Sequence, residues 1–151
     1  MHRLAISAAL TLVAGTLAQA AEARILKVLP HLLDSKGRHA LAPSLYERDA
    51  YQAELRKHPD TVHGLRFDVN WSSPASVKGP LTLRMELRTA NRPEAPNIVI
   101  ETSVKPGMFG RKWNFLALTG EQYREYGAVL AWRATLLDGG RELATKTSFL
   151  W

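Results

Sequence analysis

Lys105-Pro106-Gly107-Met108-Phe109-Gly110-Arg111-Lys112 is the stretch of this 151-residue chain whose residue types come closest to a binding site. Two glycines loosen its backbone, Met108 and Phe109 supply apolar groups for a loop tip, and Lys105, Arg111 and Lys112 surround them with positive charge. Loops on a rigid scaffold are where binding groups concentrate. An apolar tip with a basic rim suits a protein partner, an envelope component or an anionic glycan. The alternative is that Met108 and Phe109 fold inward and plug the end of the core. The stretch has neither the Walker nor the dinucleotide spacing, so it is not read as a phosphate loop.

Catalytic patterns are scarce elsewhere. His58-Pro59-Asp60-Thr61-Val62-His63 is the dense place for metal-ligating types, but its spacing matches no helical or strand arrangement of ligands. It reads instead as the turn between a helix and the next strand, ended by Pro59. His31 and His39 read as loop or edge residues. No Gly-x-Ser-x-Gly occurs, and Ser72-Ser73-Pro74 reads as a turn. The chain has no cysteine, which excludes thiol nucleophiles, thiolate metal sites and disulfides. Neither a metal nor a cofactor is expected, and no catalytic residue is assigned.

The formal net charge is +6, which raises nucleic acid as a partner. The arginines are nevertheless distributed over most segments, and the Trp and Phe residues read mostly as inward strand positions, so nucleic acid is not expected. The amino terminus points the same way. Met1-His2-Arg3 is a basic start, Leu4 to Leu17 is nearly all apolar, and Ala18-Gln19-Ala20 is a small-x-small cleavage pattern, with Ala21-Glu22-Ala23 as a second frame. Residues 1–20 therefore read as a signal peptide for export to the periplasm or cell exterior. The apolar run is too short for a spanning helix, and no later one is long enough. Residues 21–151 read as one domain, stabilised by packing without crosslinks.

The segments that must position the basic loop read mostly with period 2. Leu65, Phe67, Val69 and Trp71 share one face, as do Leu81, Leu83, Met85 and Leu87. Trp113, Phe115 and Ala117 form a third such set within Lys112 to Leu118. Arg24 to Leu33 opens the domain, with Pro30 implying an edge or a bulge. Asn97 to Val104 is rich in β-branched residues. Val129 to Leu137 and Arg141 to Leu150 flank Asp138-Gly139-Gly140, which suits a three-residue hairpin loop with a glycine bulge. Two helices interrupt. Ser44 with Glu47 caps Leu45 to Lys57, whose Tyr46, Ala50 and Ala53 share one side and would lie against a sheet or close its open end, and Thr119 with Gln122 opens Thr119 to Tyr126, which ends at Gly127. Asp68 and Glu86 alternate with Arg66, Arg84 and Arg88, which would pair across strands if those strands are neighbours.

About seven strands with turns between them predict a mainly β chain, a single two-sheet sandwich with two short helical insertions. The helical crossover at Thr119 to Gly127, the long strand carrying Trp132 and the Gly-rich hairpin resemble the end of an immunoglobulin-like or fibronectin type III-like sandwich. The likeness covers about two thirds of the chain. It lacks the inter-sheet cysteines of antibody domains. The expected function is an exported, non-enzymatic binding module using Lys105, Met108, Phe109, Arg111 and Lys112. Two alternatives stand beside it: a structural subunit that associates by strand pairing, and a hydrolase of envelope polymers using a carboxylate pair.

Overall fold

The computed structural model describes residues 22–94, 97–107 and 110–151. The expected signal peptide and the tip residues Met108 and Phe109 lie outside them. The described residues form β1 (Arg24–Leu33), α1 (Leu45–Lys57), a 3-10 turn (Pro59–Thr61), β2 (Gly64–Ser72), β3 (Leu81–Thr89) and β4 (Ile98–Val104). They continue with β5 (Arg111–Thr119), α2 (Gly120–Tyr126), β6 (Val129–Asp138) and β7 (Arg141–Thr147). All pairing is antiparallel, in a three-stranded sheet ordered β1-β2-β5 and a four-stranded sheet ordered β4-β3-β6-β7. The chain is thus mainly β, a two-sheet sandwich with two short helices. No helix among the described residues is long and apolar enough to cross a membrane.

Alternation decides which face of each sheet is dry, because successive side chains of a strand point to opposite sides. Leu65, Phe67, Val69 and Trp71 of β2 are buried, as are Leu81, Leu83, Met85 and Leu87 of β3. Leu116 and Leu118 of β5, Ala134 and Leu136 of β6, Ile25 and Val104 complete the core between the sheets. Phe67 meets the half-buried Trp132 edge-on, with ring centroids 6.5 Å apart, a geometry that aligns a positive ring edge with a negative ring face. The indole Nε1 of Trp71 donates to Asn114 Oδ1 at 2.9 Å, so the largest core side chain keeps its polar atom satisfied. Gly64 is required by close approach: a Cβ there would lie 2.8 Å from the Leu118 carbonyl oxygen.

Several local expectations are corrected. The charged rows of β2 and β3 lie in different sheets, so they do not pair with each other. Arg66 instead holds Asp68 two residues along its own strand, while Arg84 reaches Glu101 on β4 and Arg133 reaches Glu86 from β6. The last hairpin turns through Gly139 and Gly140 alone, since Asp138 already pairs with Arg141, and the bulge falls further back beside Leu136 and Leu137. Thr119 caps α2 through its backbone position and not its side chain. Ser44 does cap α1, accepting the Glu47 N–H at 3.5 Å.

The buried side of α1 also differs from expectation. Tyr46 and Ala50 are exposed, and the helix buries Gln52 and Leu55. Gln52 Oε1 accepts the Leu32 N–H at 2.8 Å, and its Nε2 donates to the carbonyls of Leu32 and His39, both at 2.9 Å. The amide thus satisfies the backbone of edge strand β1 much as a neighbouring strand would, which protects that edge. Pro30 occupies the same edge strand, as its missing N–H demands.

Candidate binding face

The end of β4 and the start of β5 carry the basic residues singled out above. Lys112 Nζ donates to the Lys105 carbonyl at 3.1 Å, drawing the two ends of the loop together. Gly110 has φ +78° and donates its N–H to the Gly107 carbonyl, a left-handed turn that glycine adopts without strain. Lys105 lines an open recess of about 770 Å³ with Pro74, Val77, Lys78, Pro80 and Pro106. Arg111 is exposed and leads into β5. The structure therefore brings Lys105, Arg111 and Lys112 to one end of the sandwich.

Beyond Arg111 the strand departs from its expected orientation. Leu116 and Leu118 are the inward residues, and Trp113 and Phe115 point outward, 50% and 55% exposed. The register places them beside β2: Arg111 opposite Ser72, Trp113 opposite Asn70, Phe115 opposite Asp68, and Ala117 opposite Arg66. On the far side of β2, Arg24, Lys27, Leu29 and His31 stand opposite Ser72, Asn70, Asp68 and Arg66. The outer face of the three-stranded sheet thus combines two half-exposed aromatic rings with Arg24, Lys27, Arg66 and Arg111. Among the outward positions of these strands Asp68 is the acid.

Asp68 is itself engaged. Arg66 Nη2 donates to Oδ1 at 2.7 Å, and the His31 imidazole lies 2.9 Å from Oδ2. Burial alone would raise the Asp68 pKa, but the hydrogen bonds and charge of Arg66, then those of His31, outweigh it and hold the carboxyl below its usual range. Arg66 also stacks on Phe115, its guanidinium carbon 4.0 Å from the ring centroid, an attraction between a cation and the ring's negative face. The His39 ring lies 5.4 Å from that of His31. Its pKa is pushed down, first by burial and then by the positive charge of Arg66 and His31.

A second recess, of about 470 Å³, lies under α1 and is lined by Asp34, Arg38, Tyr51, Glu54, His58 and Asp60 among others. Asp34 accepts from the Lys36 and Arg38 N–H groups, Arg38 Nε and the Tyr51 hydroxyl, at 2.7–2.9 Å. With its lone pairs so occupied it is a structural acceptor. Glu54 pairs with His58 Nε2 at 2.9 Å. Among the described residues no group of three His, Asp or Glu side chains is placed to hold a metal ion.

Sequence reasoning found the basic loop and missed the aromatic face beside it. In Lys112-Trp113-Asn114-Phe115-Leu116-Ala117-Leu118 both alternating sets contain large apolar residues, so period alone does not choose the buried one. Asn114 looks outward in the sequence, yet it is the hydrogen-bond partner of a buried indole. Compared with protein-family models, curated proteins and solved structures, the chain matches none of them.

Proposed function

We propose that this chain is an exported, non-enzymatic binding module that takes an anionic ligand on the outer face of its three-stranded sheet, next to the basic end of β5. The observation that carries this reading is the placement of Trp113 and Phe115, half exposed on one strand, among Arg24, Lys27, Arg66 and Arg111. Such a face offers both apolar contact area and electrostatic attraction, the two ingredients of an anion-recognising surface. In the recess under α1, Asp34 is taken up by four hydrogen bonds and Glu54 pairs with His58, which speaks against a hydrolase using those two acids. The strand-pairing alternative loses its motive at β1, which is paired with β2 along its length and guarded by Gln52 at Leu32 and by Lys146 at the Leu26 carbonyl.

The likeness to immunoglobulin-like and fibronectin type III-like sandwiches belongs to the same proposal. It is supported by β5 returning beside β2 and β6 beside β3, the Greek-key pairing of such domains. β4 joins β3, whereas antibody constant domains place their fourth strand on the other sheet.

A charge reversal tests the face. Lys27 and Arg111 are exposed, so Lys27→Glu with Arg111→Glu is expected to leave the thermal midpoint nearly unchanged. Binding to dextran sulfate, measured by affinity electrophoresis at low salt, is expected to weaken by at least about tenfold, given the screened but additive attraction of exposed charges. Equal mobility shifts for the variant and the parent would place the binding surface elsewhere.

A further inference from the structure

We infer that the ligand is a linear acidic polysaccharide of the uronate type, laid along β5 with sugar rings on Trp113 and Phe115 and carboxylates against the surrounding cations. The inference rests on the binding reading above and names its ligand class. Trp113 and Phe115 are two residues apart on one strand, which separates them by about 7 Å along a rigid backbone. Neither aromatic lines the recess beside Lys105, the one under α1 or the one beside Arg141. Half-exposed ring surfaces outside those recesses select a ligand by its flat sides and not by protruding side chains. The C–H-lined side of a pyranose is such a surface, and it complements the negative face of an aromatic ring.

Charge then narrows the sugar. Arg111 precedes Trp113 on β5, Lys27 stands across the sheet from it, and Arg66 lies over Phe115. Arg66 reaches Asp68 through Nε and Nη2, and its Nη1 makes no ion pair among the described residues. Asp68 fixes the guanidinium over one face of Phe115, so a sugar set against the exposed remainder of that ring would have a pre-positioned donor for its carboxylate at the ring's edge. Asn70 stands opposite Trp113 on β2 and donates its Nδ2 to the Lys112 carbonyl, which leaves its Oδ1 as an acceptor for a hydroxyl. A neutral glycan would use the rings and leave the cations without partners, and a simple polyanion would do the reverse. Single-stranded nucleic acid has flat rings and charge as well; the export proposed above favours the glycan.

The experiment titrates the protein with hexameric oligogalacturonate, neutral cellohexaose, poly-L-glutamate and oligothymidylate at physiological ionic strength, by calorimetry and tryptophan fluorescence. Oligogalacturonate is expected to bind most tightly. Trp113→Ala and Phe115→Ala are each expected to weaken it about tenfold or more, as stacked rings do on alanine substitution, while the thermal midpoint falls by no more than a few degrees. Poly-L-glutamate binding as tightly, with both alanine variants unaffected, would overturn the glycan and leave an anion-binding module. Tighter oligothymidylate would assign the face to nucleic acid, and equal binding of cellohexaose would remove the acidic requirement; either overturns the inference. Failure of every polyanion to bind would overturn the binding reading itself.

Discussion

Phe67→Ala is expected to lower the free energy of unfolding by about 3–5 kcal/mol, the usual cost of emptying a fully buried aromatic site. An ordinary domain is stable by roughly 5–15 kcal/mol, and this one has no disulfide to limit the loss. Phe67 is completely buried, sits in the middle of the central strand β2, and spans the core to reach Trp132 of the opposite sheet. Val69, Leu83 and Met85 of the same core cluster are also fully buried, so the void would open inside the packed core and not at its rim. The functional consequence follows from alternation. Phe67 pointing inward is what turns Arg66 and Asp68 outward, so the clamp on Arg66 depends on this anchor. Urea unfolding near neutral pH checks the prediction, with Phe115→Ala as the control. That ring is half exposed, and its loss is expected to cost under about 1 kcal/mol. Similar costs for the two variants would mean that Phe67 is not the anchor of the core.

The contrast between these two phenylalanines also measures how far the sequence could be read. β2 and β3 were legible because each has apolar residues on one alternating set and charged residues on the other, so only one face can be dry. Pro30, lacking an N–H, marked β1 as an edge strand or a bulge, of which the edge is what forms there, and Gly127 marked the end of α2, where it adopts φ +76°. β5 was ambiguous because both its faces are apolar, and the choice was made by its neighbours. Registering Leu65 and Phe67 against Leu118 and Leu116 puts the leucines inside and the aromatics outside. α1 was misoriented for a different reason: it is held by the amide of Gln52 and the hydroxyl of Tyr51, not by an apolar stripe. Hydrogen bonds to distant backbone leave no periodic trace in a sequence. The same holds for the His31, Asp68 and Arg66 cluster, which joins residues 37 positions apart through strand pairing. The basic loop was visible because charge is local, and the aromatic half of the face was not because orientation is collective.

Asp34→Ala is expected to cost about 2–4 kcal/mol near neutral pH, since it strands two backbone N–H groups, a phenol and a guanidinium that shared one buried carboxylate. The cost should shrink in acid, and the sign follows from the pKa. Burial acts to raise it, but hydrogen bonds from Tyr51, Arg38 and Lys36 outweigh burial and hold Asp34 far below its ordinary 3.8. As pH falls below 3.8 the unfolded chain takes up this proton first, so the stabilisation that is complete above that value is lost progressively. Asp68, also lowered, adds a loss of the same sign in both proteins. His39, lowered from 6.5, makes both less stable at an earlier stage, as pH falls through that value. Comparing parent and variant by denaturant unfolding at about pH 7, 5 and 2.5 separates these contributions, because only the Asp34 share differs between the two chains. The gap is expected to hold from 7 to 5 and to narrow by 2.5; a gap that stays constant would mean the carboxylate is not its source. The effect reaches the proposed binding face, because the turn that Asp34 builds leads into His39, whose ring lies 5.4 Å from that of His31 at the Arg66 end of that face. Loss of ligand in the Asp34 variant with Trp113 and Phe115 intact would show that this end must be closed for the face to work.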